Sequence, residues 1–434
     1  MRRRLLIAGA AAVIAAAALS LGNALRGGPD AAATPAPSVA VAPAAASTRS
    51  TQATVEQLQT RLRANPRDAH GYALLGVAYE QRARETGDPT YYTKADGALH
   101  RALSLAPKDL VATNGLGSLA LSRHRFREAL ALGRKAHRLS PTTALTYGIV
   151  GDALVEVGRY PAAFGAFDTM ARLKPGLASY SRISYGRELL GQTAGAIQAM
   201  QLAVDAATSE PEPTAWTHWQ LGKLYWSVGR IGAAEHEYRA ALAAFPNYVY
   251  ALDALAQVEA ARGHIAKAIS LERRAVDEIP LPQFVGLLGD LYRSSGKTGL
   301  ARRQYELVGV IQRLLVANGV KTDLETALFD IDHGIRLRHA LALARRAQTD
   351  RPSIDGDDVL AWSLARNGRC GEAFGWSRQA LRLGTRDALK LFHRGMIERC
   401  LGHRTAARSY LQRALALNPH FSIVWSPIAR KALR

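Results

Sequence analysis

The chain has 434 residues, with 56 Lys and Arg against 36 Asp and Glu, a formal net charge of +20. Two cysteines exclude a disulfide-knit scaffold or a Cys-rich zinc protein, and 48% hydrophobic residues exclude global disorder. The excess of positive charge raises nucleic acid, anionic polymer or lipid as partners.

In chain order, Arg2, Arg3 and Arg4 precede an uncharged run from Leu5 to Leu25. A basic n-region before an apolar stretch is the pattern of an export signal. The run is long enough to span a bilayer, yet nine of its residues are Ala and two are Gly, so insertion is marginal. Gly22-Asn23-Ala24 offers a small-x-small cleavage site. Residues 1–25 therefore read as a cleaved signal or a retained anchor, and residues 26–53, rich in Ala, Pro, Ser and Thr, as a flexible tether. Either reading puts the remainder outside the inner membrane, in the cell envelope or secreted.

Beyond residue 54 a repeat dominates. Pro107, Pro141 and Pro175 are separated by 34 residues each time, as are Pro246 and Pro280, while Pro66, Pro352 and Pro419 end similar segments. Ahead of the prolines runs a small-residue pattern: Ala95, Leu99 and Ala102; Ala129, Gly133 and Ala136; Ala234, Tyr238 and Ala241; Ala407, Leu411 and Ala414. Spacings of 4 and 3 put these side chains on one helical face, and the proline ends the helix. Upstream lies a second helical pattern, with Leu75-Gly76 and Tyr79, Leu116-Gly117 and Ala120, Leu221-Gly222 and Tyr225, and Leu288-Gly289 and Tyr292. Gly158, Gly191, Gly229, Gly263, Gly296, Gly368 and Gly402 fall between the two helices, where a left-handed cap is needed.

These residues, in phase over many copies, resemble the tetratricopeptide repeat family. The resemblance implies an all-α, right-handed solenoid of about ten helix-turn-helix repeats from about Ala69 to Pro419, with a capping helix over Val55–Asn65. The array is drawn as residues 54–422 and residues 423–434 as a C-terminal tail. Three departures stand out: extra residues around Thr86–Tyr92, a loop at Ser209–Pro213 in place of a closing proline, and a run-on through Leu314–Val320.

The resemblance also implies that the first helix of each pair lines a concave groove for extended protein segments. Carried onto the fifth repeat, the inward positions are Trp216, Trp219, Lys223, Trp226 and Ser227. They read as an aromatic pocket for a peptide side chain or sugar ring, or as rings packed into the superhelix. In the eighth repeat the groove positions are Glu325, Phe329, Asp332 and His333; in the ninth, Asp355, Asp358, Trp362 and Arg366. Carboxylates beside a His suit a basic peptide, a divalent metal or acid-base chemistry, the bland alternative being a solvated helix end.

Cys370 and Cys400 lie in consecutive repeats, as a bridge stapling the end of the array or as free buried thiols. Gly115-Leu-Gly117-Ser-Leu-Ala120 imitates a dinucleotide fingerprint, but Gly117 is the repeat glycine inside a helix. No nucleophile elbow, phosphate-binding Walker loop, H-E-x-x-H helix or paired CxxC occurs.

Protein or peptide partners are expected, with no cofactor, metal or catalytic residue. Many Arg, such as Arg134, Arg138, Arg345 and Arg346, fall on second helices, the outer face in the family. They leave anionic envelope polymer or a membrane surface as an alternative partner, and export removes nucleic acid.

Overall fold

The computed structural model describes residues 50–207 and 211–434; the export segment, most of the tether and residues 208–210 lie outside the described residues. Among the described residues there are twenty-two α-helices and no strand. No helix there is long and apolar enough to cross a membrane.

A capping helix, α1 (Thr51–Ala64), precedes ten helix pairs. The first five pairs are α2 (Ala69–Thr86) and α3 (Thr90–Leu105), α4 (Leu110–Ser122) and α5 (Phe126–Leu139), α6 (Ala144–Glu156) and α7 (Tyr160–Leu173), α8 (Leu177–Leu189) and α9 (Thr193–Asp205), and α10 (Pro211–Ser227) and α11 (Ile231–Ala244). The next three are α12 (Val249–Ala261) and α13 (Ile265–Glu278), α14 (Pro282–Ser294) and α15 (Thr298–Ala317), and α16 (Asp323–His333) and α17 (Leu337–Asp350). The array closes with α18 (Ile354–Arg366) and α19 (Cys370–Ala380), then α20 (Ala388–Cys400) and α21 (Arg404–Leu417). Residues 423–434, read from sequence as a tail, instead contain a further helix, α22 (Trp425–Leu433), which buries Trp425, Ser426 and Ala429.

Local chemistry starts these helices where the repeat demands. The carboxylates of Asp68 and Asp109 accept from the backbone N–H of Gly71 at 2.9 Å and of Ala112 at 2.7 Å, satisfying donors that the first helical turn leaves free. Within a pair the repeat glycine permits close crossing. The space a Cβ would need at Gly76 is filled by Leu99, and at Gly222 by the Tyr238 ring. Gly117 lies inside α4, so the dinucleotide imitation is a helix-packing feature.

The superhelix does not remain open. Side-chain hydrogen bonds join residues separated by 192 to 197 positions, a little under six repeats. The turns inside repeats two to five thus meet the loops that close repeats seven to ten. His124 Nδ1 lies 2.9 Å from the Lys321 carbonyl, the Ile354 N–H donates to the Tyr160 hydroxyl at 2.7 Å, and Asn418 Nδ2 donates to the Trp226 carbonyl at 2.8 Å. Arg351 pairs with buried Glu156 and, at 3.0 Å, with Glu325. Gly158 and Gly191 carry positive φ, and a Cβ there would collide with the carbonyls of Pro352 and Gly384 across the seam. The run-on at residues 314–320 now has a reason: Val308, Ile311, Leu315 and Val320 share an apolar cluster with Val55, Leu58 and Leu99 of the N-terminal end.

Cys370 and Cys400 are joined by a disulfide with a Cα–Cα distance of 6.2 Å, within the range such a bond spans, and it ties α19 to the end of α20.

The packing sets two expectations for stability. Removing the Arg351 side chain strands the Glu156 carboxylate in the seam, so Arg351→Ala should cost about 3 kcal/mol in urea unfolding and expand the particle in X-ray scattering. Burial pushes the Glu80 carboxyl up to about 8, against the lowering effect of its 2.8 Å hydrogen bond from Ser118. Folded protein therefore holds a proton that the unfolded chain has released. This contribution is present in full below the unfolded pKa and is lost as pH rises through the folded one. Glu80→Gln should flatten the fall in stability between about pH 5 and pH 8, raising stability at the upper end by roughly 2 kcal/mol.

Candidate functional site

The fifth-repeat stripe is not an open aromatic pocket. Trp216 is 1% exposed and Trp219 is 7% exposed, both within an apolar cluster with Tyr238 and Tyr248. Trp219 packs on Tyr250 at 4.9 Å, and Lys223 Nζ stands 4.8 Å from the Trp219 ring centroid. Burial lowers the Lys223 pKa, with Glu188 and Asp253 opposing. Trp226 is half-buried against the same cluster and gives its carbonyl to the seam. The packing alternative describes Trp216 and Trp219, because each helix pair must fill the gap to the next with bulky side chains.

The acidic groove positions of repeats eight and nine do not form one cluster. Glu325 faces Arg351 and, at 3.6 Å, His124, and belongs to the seam. Asp355 meets Lys390 Nζ at 2.7 Å; burial alone would raise its pKa, but Lys390 and Arg351 hold it below the usual value. Asp358 Oδ2 lies 2.9 Å from Nδ1 of the fully buried His393. Among the described residues no group of three or more His, Cys, Asp or Glu could hold a metal ion.

The structure does bring Asp332, His333, Trp362 and Arg366 together, in a cavity of about 630 Å³ on the first helices of repeats seven to ten. Helix α14 adds Asp290, Arg293 and Ser294, and α20 adds Met396. The remaining wall is Ile423, Val424, Trp425 and Ile428 from the C-terminal segment. Ile423 also packs into the cluster of Leu291 and Tyr292, so this segment crosses from the tenth repeat back to the seventh. Phe329 lies beside the cavity, 4.2 Å from the His333 ring and 5.8 Å from Tyr305.

The polar groups of the cavity are largely committed. Trp362 Nε1 donates to Asp332 Oδ1 at 2.9 Å. Burial raises the Asp332 pKa, while His393 and the indoles of Trp362 and Trp425 lower it. Asp290 Oδ1 accepts from the Tyr305 hydroxyl at 2.7 Å, lies 3.0 Å from His333 Nε2, and has Arg293 at 3.4 Å. His333 Nδ1 lies 2.7 Å from the Phe329 carbonyl. Trp362 stacks on His393 at 4.5 Å and meets Trp425 edge-on at 5.5 Å. This arrangement can hold an apolar side chain and a polar group beside it.

The pattern of the ninth repeat supplied Trp362 and Arg366, but Asp290, Arg293 and the C-terminal wall were not singled out. A signal existed for the wall: Trp425, Ile428 and Ala429 have helical spacing, and Ser422 Oγ accepts from the Trp425 N–H at 3.1 Å as a cap would.

With this geometry in hand, the comparisons define the class. Residues 220–281 match the family model described as tetratricopeptide repeat, and they belong to that family. The fold of the described residues is an α-solenoid of such helix pairs. No curated protein matches the sequence. Among solved structures the chain is similar to a thermophilic tetratricopeptide-repeat protein of Thermus thermophilus, TTC0263, at 22% identity and a TM-score of 0.39, over 45% of this chain and 98% of that one. It is similar to a human IFIT1 dimer with PPP-AAAA at 13% identity and a TM-score of 0.45, over 85% and 94%. A third likeness, to YrrB, described as a protein with an unusual peptide-binding site, has 21% identity and a TM-score of 0.29, over 42% and 93%.

The burial contrast in the fifth repeat makes a prediction. Trp216→Ala should destabilise by about 3–5 kcal/mol and reduce helicity on mild heating, whereas Trp226→Ala should cost clearly less. Calorimetry of the two variants checks the order.

Proposed function

We propose that the protein is a non-enzymatic scaffold that binds segments of other proteins, anchoring them in the cavity of repeats seven to ten. The observation that carries this reading is the convergence of Trp362, Trp425 and Arg366 with an apolar wall on the concave side of a closed array. A rigid array loses little entropy when a segment docks, and enclosed Trp and Arg anchors dominate such binding.

The cell envelope is the proposed location. The reading rests on the basic and apolar N-terminal segment, and the disulfide supports it, because such bonds persist in oxidising compartments.

One observation favours a second reading, an anionic envelope polymer as partner. Arg127, Arg134 and Arg159 line a separate hollow of about 430 Å³ with Pro352, and no carboxylate among the described residues borders it.

Ile428 is 38% exposed at the cavity rim, so a charge there spares the core. On a peptide array, Ile428→Asp should lose most of the wild-type signal at unchanged melting temperature. That wild-type signal should survive high salt, whereas polymer binding should collapse. Equal signals from both proteins would refute the cavity as the anchor, and N-terminal sequencing of envelope-extracted protein tests export and cleavage.

A further inference from the structure

The seam between the superhelical turns carries positive charge that its ion pairs do not use. One face of α5 supplies most of it. Residues 127, 130, 131 and 134 follow the helical period, so Arg127 and Arg134 stand two turns apart with Leu130 and Ala131 between them. Arg159, at the N-cap of α7, adds a third guanidinium at the positive end of a helix dipole. Pro352, from the loop after α17, borders the same hollow of about 430 Å³ from the second turn. Arg127 is itself anchored across the seam, donating from Nη2 to the Thr349 carbonyl at 2.9 Å. Among the described residues none of the three arginines pairs with a carboxylate, because those of the adjoining segments are taken. Glu128 faces Arg125, Glu156 meets Arg351, Asp350 meets Lys321, and Asp357 meets Arg382. Three like charges at the contact of two turns repel one another and work against closure.

We propose that this hollow is a phosphate site and that the bound phosphate is a strut between the two turns. The occupant is a phosphate monoester. Its three terminal oxygens can accept from three guanidiniums at once, and it carries about −1.5 to −2 charges at neutral pH, whereas a carboxylate offers two oxygens and one charge. Leu130, Val157 and Pro352 give the hollow apolar sides, which suit a compact organic body behind the phosphate. The inference rests on the second reading of this hollow, as a site for anions, and narrows the ligand from diffuse polymer charge to a discrete phosphate. Bound there, the phosphate neutralises the arginines of the first turn while its organic body rests on the Pro352 loop of the second. Opening the seam dismantles the site, so binding and closure are thermodynamically linked.

The test uses the full-length protein at constant ionic strength, with glycerol 3-phosphate and inorganic phosphate as probes and polyglutamate as a phosphate-free polyanion. Calorimetry should show one glycerol 3-phosphate bound per chain. The Ile354 amide, which donates to the Tyr160 hydroxyl across the seam, reports closure. At about ten times the Kd of the ligand this amide should exchange with deuterium about tenfold more slowly. Inorganic phosphate binding as tightly would identify the phosphate group as sufficient, and weaker binding would show that the organic body contributes. The double substitution Arg134→Gln with Arg159→Gln should abolish both binding and the slower exchange. Without ligand at low salt it should melt no lower than the wild type, because it relieves repulsion, which separates loss of binding from loss of fold. Polyglutamate binding with no response to either phosphate would overturn the phosphate assignment and leave a site for anionic polymer. Phosphate binding without slower exchange would overturn the strut. Silence from every probe, or phosphate binding that survives the double substitution, would overturn the hollow as an anion site.

Discussion

Glu156 is a carboxylate with almost no exposed surface, and its neutralising partner, Arg351, lies 195 residues further along the sequence. An ion pair this enclosed is tolerated only when both members are present and otherwise well packed. It therefore requires the second superhelical turn to lie against the first. The Tyr160 hydroxyl, the carbonyl of Leu189 and the Asn418 amide join the same seam. The glycines at 158 and 191 serve both the left-handed turn between paired helices and the close approach of the other turn. An array whose repeats would otherwise touch only their neighbours gains long-range cross-links, and its terminal repeats cease to be independent.

Closure also decides which inward-facing positions are filled by packing. The fifth-repeat aromatics are absorbed by packing, and the acidic positions Glu325, Asp355 and Asp358 are absorbed by Arg351, Lys390 and His393. Asp332, His333, Trp362 and Arg366 instead line the cavity of repeats seven to ten, whose far wall is the C-terminal segment returning to the seventh repeat. The enclosed arginines Arg123, Arg182, Arg351 and Arg394 each meet a carboxylate. Arg366 stands apart because its neighbours are the faces of two indoles.

Much of the architecture was legible in the sequence because it depends on local chemistry. The 34-residue proline spacing, the small residues at spacings of 4 and 3, and the inter-helix glycines are each set by helix geometry within one repeat. The structure places ten helix pairs where they fall. Site residues were legible only in part. Trp362, Asp332 and His333, read as inward positions, line the cavity, but Trp216 and Trp219 occupy such positions too and are core. Repeat position tells which face a side chain starts from; the neighbouring helix decides whether that face is filled.

The sequence by itself determined the repeat, the number of helix pairs, the inward stripe and the outward drift of the arginines, since each follows from periodicity within a single unit. Only the tertiary structure decided that a little under six repeats complete a turn and that the second turn rests on the first. It also decided that residues 423–434 form a wall of the cavity, where the sequence read as a tail. Small rotations between successive pairs add up over many repeats, and no short-range pattern records their sum. The +20 charge has the same limit: composition counts arginines, and only the fold leaves Arg366 facing a cavity without a carboxylate of its own.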